Sequence, residues 1–200
     1  MKNIKKLAKS VSWIFELGKM CSVLNVILAL FQLGAVWLYY LMSGTFFGTS
    51  ASLALGNVMF YLSEGFQPST WESVLLATVE HLTTAAVSFL GYFLYKSVCA
   101  ILDPLKEGQP FHHEVTVNTH RLGWLTVGMG AVGVVSETVT YFMKLNIYDL
   151  RELFLSEKIL NVTTTMVADL DFILYALILF LLSWIFRHGE ELQQLSDETL

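Results

Sequence analysis

Among the ionisable side chains within the long apolar runs of this 200-residue chain are Glu80, His81, Glu137 and Asp169. Such groups are costly where water is excluded, so each marks a candidate functional position. Three carboxylates and an imidazole could bind a divalent cation. They could relay protons, because histidine titrates near neutral pH and clustered carboxylates share protons. They could also hold a cationic ligand or peptide, with the hydroxyl of Thr84 one turn beyond Glu80. The plainer alternative is a satisfied polar network in which one carboxylate is protonated or paired with His81. No H-E-x-x-H spacing supports a metal site, and none is expected. Membrane-embedded hydrolysis would need a nucleophile and a base in reach, and Glu80, His81 and Thr84 are the only members at hand. Nucleophile elbow, phosphate loop and catalytic triad patterns are all missing, so no enzymatic activity and no cofactor are expected. A second group, His112, His113, Glu114 and His120, reads as solvated loop histidines.

The element that must position Glu80 and His81 is the apolar run from Trp71 to Leu102. Successive helical residues turn by about 100°. On that wheel Ala77, Glu80, His81, Thr84, Ser88, Gly91 and Tyr95 share one arc, and Leu75, Val79, Leu82, Phe89 and Phe93 hold the opposite one. The first face is small and polar; the second suits lipid. The whole chain is 54% hydrophobic and only 14% charged, with positive mean hydropathy, which points to a membrane protein. A formal charge of −5 argues against nucleic acid as a direct partner. Two cysteines, Cys21 and Cys99, are too few for a disulfide framework and are expected to be free.

Three further spans accompany this one: 20–42, 121–142 and 166–186. The first carries Asn25 and Gln32 beside Ser22, Ala29 and Tyr39, which reads as hydrogen-bonding glue between helices. Gly123, Thr126, Gly130, Gly133, Glu137 and Thr140 line one stripe of the third. Asp169, Ile173, Ala176, Phe180 and Ser183 line one stripe of the fourth. Glu80 and Glu137 each lie about 8 Å inside the outer ends of their spans at 1.5 Å per residue. Ahead of the first span, Lys2, Lys5, Lys6 and Lys9 alternate with Ile4, Leu7, Val11 and Ile14, the pattern of an amphipathic interfacial helix. Connections 43–70 and 143–165 become outer loops, 103–120 a cytoplasmic loop with turns at Pro104 and Gly108 to Pro110, and 187–200 an acidic tail. Residues 145–160 are expected to form an amphipathic surface helix. Basic residues crowd the termini and the middle loop, so both termini are expected in the cytoplasm. The expected fold is therefore all-α, one membrane domain over 1–200 built as a four-helix transmembrane bundle.

Gly108-Gln109-Pro110-Phe111 before the third span, then Arg121-Leu122-Gly123, resembles a motif of the bacterial membrane-protein family catalogued as domain of unknown function 2975. The tail is similar too: Gly189, Leu192, Gln193, Asp197, Thr199 and Leu200 fill a G-x-x-L-Q-x-x-x-D-x-T pattern, with Glu198 where an aliphatic residue is usual. The resemblance implies a four-helix protein of the bacterial inner membrane without an assigned activity. It also implies a small helix-turn-helix regulator, encoded nearby, as a partner besides the lipid bilayer. The expected function is regulatory or signal-coupling, with an outward-facing polar cavity formed by Glu80, His81, Thr84, Glu137 and Asp169. The alternative is a small ion- or proton-coupled transporter, or an immunity-type export protein, using the same carboxylates. Gly108, Pro110 and Phe111 of the loop and Leu192, Gln193, Asp197 and Thr199 of the tail are the expected docking residues. Phe111 is expected to seat on the tail leucines, and the tail acids to meet the N-terminal lysines.

Overall fold

A computed structural model describes residues 2–45, 52–55, 58–61, 69–147 and 169–198. Among the described residues the chain forms four helices: α1 (Lys2–Ser43), α2 (Thr70–Glu107), α3 (His113–Ile147) and α4 (Asp171–Glu198). All four are long and apolar enough to cross a membrane. Their apolar side chains largely point outward: only 11% to 17% of each apolar window is buried. Phe31, Leu177 and Trp184 are among the exposed residues. A water-soluble domain buries such groups; a bundle solvated by lipid leaves them outside.

Every helix is longer than its hydropathy run. The 28 residues of α4 extend about 42 Å, against roughly 30 Å for a hydrocarbon core. Where an interfacial helix was expected before the first span, α1 is one unbroken helix. Nothing between Lys2 and Met20 stops it: proline is absent there, and a single mid-helix glycine, Gly18, is tolerable. The expected cytoplasmic loop 103–120 shrinks to five residues, 108–112. Pro104 lies inside α2 instead of marking a turn, at the cost of the one backbone bond its missing N–H would make. The stop is Gly108, at φ 87°. Its N–H bonds the Leu105 carbonyl at 3.1 Å, and the Gln109 N–H bonds the Pro104 carbonyl at 3.0 Å, the two bonds of a Schellman cap. The expected tail continues α4 as helix to Glu198.

Between α1 and α2 a short two-stranded antiparallel hairpin accompanies the all-α architecture. β1 (Ser52–Leu55) pairs with β2 (Val58–Tyr61), with Leu55 opposite Val58. Gly56-Asn57, the sequence between them, is a pair that suits a two-residue hairpin connection. The amphipathic helix expected over 145–160 falls mostly outside the described residues; α3 itself runs to Ile147.

Contacts group the chain into two compact units. The first holds Met1–Val26, Ala86–Val132 and Asp169–Leu200. In it α1 meets α2 where Gly18 lies under the Tyr95 ring and Gly91 lies against Ser22; Phe15 and Tyr95 are 6.0 Å apart between centroids. Helices α3 and α4 meet where Gly123 and Gly130 leave room for the rings of Phe180 and Phe172; a Cβ at either glycine would overlap the ring. Ser183 on α4 donates to the Thr116 carbonyl at 3.0 Å. Ala176 and Ser183 are buried, as the α4 stripe predicts, whereas Ile173 is exposed. The second unit holds Ile27–Ala85 and Gly133–Ala168. There the Trp37 indole donates to Thr78 Oγ1 at 3.0 Å, and the rings of Trp37, Tyr40 and Trp71 stand 5.9 to 6.3 Å apart.

Gly130→Ala is expected to destabilise the protein by roughly 1–3 kcal/mol, because the Phe172 ring must move out of its seat. Gly133→Ala, where nothing lies within 4 Å of the added carbon, is expected to be neutral or slightly stabilising. Equilibrium unfolding in a detergent series measures both, and equal effects would contradict the packing.

Candidate functional site

The polar residues of the second unit do not form the expected cluster. Glu80 is exposed, and its carboxylate lies 3.5 Å from Lys144 Nζ near the end of α3. The side chains are 50% and 26% exposed, so the pair is partly solvated. Thr84 is also exposed and donates its hydroxyl to the Glu80 carbonyl at 2.9 Å, satisfied within its own helix. Glu137 is exposed, and His81 is half-buried. What joins α2 to α3 here is a hydroxyl pair, Thr83 and Ser136 at 2.7 Å. That bond brings Glu137, the next residue on α3, to a level near Glu80, as the antiparallel reading predicts. It does not turn either carboxylate inward.

Asp169 has a different task from the one expected. It precedes α4 instead of lying inside a span, it is exposed, and its Oδ1 accepts the Asp171 N–H at 2.9 Å. A carboxylate bonding the first free N–H groups of a helix caps it, with added help from the helix dipole. Among the described residues no group of three or more His, Cys, Asp or Glu side chains could hold a metal ion.

Sequence reasoning missed Lys144, Thr83, Ser136 and the Trp37–Thr78 pair. Lys144 lies just beyond the expected third span, yet α3 continues three residues past it and keeps it on the helix. A basic residue in the last turn of a helix that runs antiparallel to one bearing Glu80 was the available signal.

The first unit holds a second polar assembly, built around the short α2–α3 loop. Gly189 on α4 lies directly beneath the Phe111 ring, and a Cβ there would overlap it. The next residue, Glu190, accepts a hydrogen bond from the Thr116 hydroxyl at 3.3 Å and lies 3.2 Å from His113 Nδ1. Its side chain is 16% exposed. His112 caps α3, its Nδ1 accepting the Glu114 N–H at 3.2 Å. His120 lies on α3 and not in a loop, 5.1 Å from the Phe180 ring, and accepts the Trp124 indole N–H at 3.2 Å. The loop phenylalanine thus seats on Gly189, while Leu192 and Leu195 stay exposed. The expected meeting of the tail acids with Lys2, Lys5, Lys6 and Lys9 lies outside the described residues, but two of the acids have partners of their own. Glu190 bonds α3, and Glu191 lies within reach of Arg187 and His188 of its own helix, at 3.4 and 3.3 Å. The side chain of Asp197, with Thr199 and Leu200, falls outside the described residues.

Both stretches that carry the sequence resemblance, Gly108 to Phe111 and Gly189 onward, therefore touch. Comparison of the chain with family models, with curated proteins and with solved structures finds no match. The class is set by the helices alone: four candidate spans give the make-up of a multi-pass membrane protein.

A double-mutant cycle separates the observed pair from the expected cluster. Glu80→Gln with Lys144→Met is expected to give a coupling of about 0–1 kcal/mol, as half-exposed ion pairs do. Glu80→Gln with Glu137→Gln is expected to be additive within about 0.5 kcal/mol. A larger coupling between the two carboxylates, measured by unfolding, would restore the cluster.

Proposed function

We propose that the chain is a non-enzymatic regulatory or signal-coupling protein of a bacterial inner membrane, with both termini and the α2–α3 loop in the cytoplasm. Orientation rests on the lysines ahead of the first span and on Lys96, Lys106, Arg121 and Arg187 around the loop and tail. The observation that carries the function is the Phe111–Gly189 seat with Glu190 bonded to α3. It ties the loop to the end of α4, so a shift in either helix moves the same cytoplasmic surface. On that surface Leu192 and Gln193 of α4 stand exposed, available to a soluble partner. The sequence resemblance suggests a helix-turn-helix regulator in that role. On the outer side, Glu80, His81 and Glu137 are the groups through which a proton or cation would be felt. The Glu80–Lys144 pair favours this reading over transport, since a coupling carboxylate with a resident lysine must lose that partner before it binds a cargo ion.

In a background of Cys21→Ser and Cys99→Ser, cysteines at Gly48 and Gln109 are expected to react with impermeant maleimide from opposite sides of the membrane. Labelling from one side overturns the topology. Truncation after Glu191 keeps the Phe111 seat and the Glu190 contacts, so the remaining protein is expected to fold with unchanged thermal stability and to lose binding of the purified regulator encoded beside it. Full binding by the truncated protein removes the tail from the docking surface. Dissipation of a pH gradient in proteoliposomes, above the protein-free rate, would replace this function with transport.

A further inference from the structure

Helix α1 carries two primary amides, Asn25 and Gln32, deep in its apolar run. The sequence suggests that they bond neighbouring helices within the chain. Instead both are exposed, and among the described residues no hydrogen bond reaches either side chain. The buried positions beside them are Ser22 and Ala29, which turn another face of α1 toward the rest of the protein. In hydrocarbon an amide with no partner is costly, and lipid tails supply neither donor nor acceptor.

The amides do not stand alone on that outward face. Cys21, Asn25, Leu28, Gln32 and Ala35 follow one another at steps of four, three, four and three. At 100° per residue they fall within an arc of roughly 80°. This is the spacing of a seam between two helices, with the amides one heptad apart at equivalent positions and Cys21, Leu28 and Ala35 at the alternating ones. All five are exposed. Small and polar residues are what membrane helices place where they meet.

We infer that this face of α1 docks against α1 of a second copy of the same chain. The chemistry selects a like partner. A primary amide is both donor and acceptor, so Asn25 can satisfy Asn25 of the second copy, and Gln32 its own counterpart. Two copies inserted in one membrane with one topology run their first helices parallel. About a two-fold axis along the membrane normal each seam residue then faces itself, and both amides are matched at once. A helix of different sequence would have to present two amides at the same seven-residue spacing. The inference rests on the membrane reading proposed above.

The test uses the full chain in its native membranes. With Cys99→Ser, Cys21 is the only thiol, and oxidation with copper phenanthroline is expected to give a disulfide-linked species of twice the chain mass. With both native cysteines replaced by serine, Leu28→Cys and Ala35→Cys are expected to cross-link in the same way. Ile27→Cys and Leu30→Cys, exposed on the other side of α1, are expected to stay monomeric. Asn25→Leu combined with Gln32→Leu is expected to reduce Cys21 cross-linking several-fold. Equal cross-linking at all positions, none at the seam, or an adduct whose mass shows another protein each overturns pairing with a second copy. Alkaline carbonate extraction checks the membrane reading separately. Release into the soluble fraction overturns that reading, whereas retention without seam cross-linking overturns the pairing alone.

Discussion

Close approach at missing side chains is the constraint on which this structure depends. Between helices in lipid there is little hydrophobic driving force, because the solvent is as apolar as the side chains. Cohesion must come from fitted surfaces and from hydrogen bonds. The rings of Tyr95, Phe180, Phe172 and Phe111 lie over Gly18, Gly123, Gly130 and Gly189. Each pairing lets an aromatic side chain from one segment reach the backbone of another. Hydroxyl groups complete the contacts: Ser183 with the Thr116 carbonyl, Thr83 with Ser136, and Thr78 with Trp37. These are short side chains with little rotamer entropy to lose.

Against this background the ionisable residues take modest roles. Glu80 and Lys144 neutralise one another with part of each side chain still exposed, so neither carries its full desolvation cost. Asp169 spends its charge on a helix end. Glu190 is the more enclosed acid; it holds a hydroxyl and an imidazole from α3 while its neighbour Gly189 receives the loop phenylalanine. The loop is thereby fixed at both a polar and an apolar point.

Much of the fold was legible in the sequence because hydropathy over about twenty residues is a strong signal. Helix ends were not legible in the same way. Hydropathy marks where a helix would leave lipid, while Lys, Glu, Gln and Leu go on favouring helix well beyond that point. So α1 began early, α4 ran on to Glu198, and α2 passed through Pro104 until Gly108 offered a left-handed residue. The glycine stripe of α3 matches close packing at Gly123 and Gly130 but not at Gly133, which has open space beside it. A helical wheel groups polar residues and cannot tell which polar face is covered, so it turns Glu80 and Glu137 inward. Asn25 and Gln32 misled for the same reason, being adjacent on the wheel to Ser22 and Ala29, which are the residues α1 buries.

The brevity of the α2–α3 connection bears on the order in which the chain assembles. Only five residues separate Glu107 from His113. Loop-closure entropy rises with loop length, so few contacts have a lower entropic barrier than those between these two helices. Contacts near in sequence also form soonest. α2 and α3 are thus the natural first pair, with the Thr83–Ser136 bond fixing their register. α1 joins across a connection of 26 residues, 44–69, and α4 across one of 23, 148–170. The helix that bears Phe111's seat follows the loop in chain order, so the loop is synthesised before the surface that receives its ring.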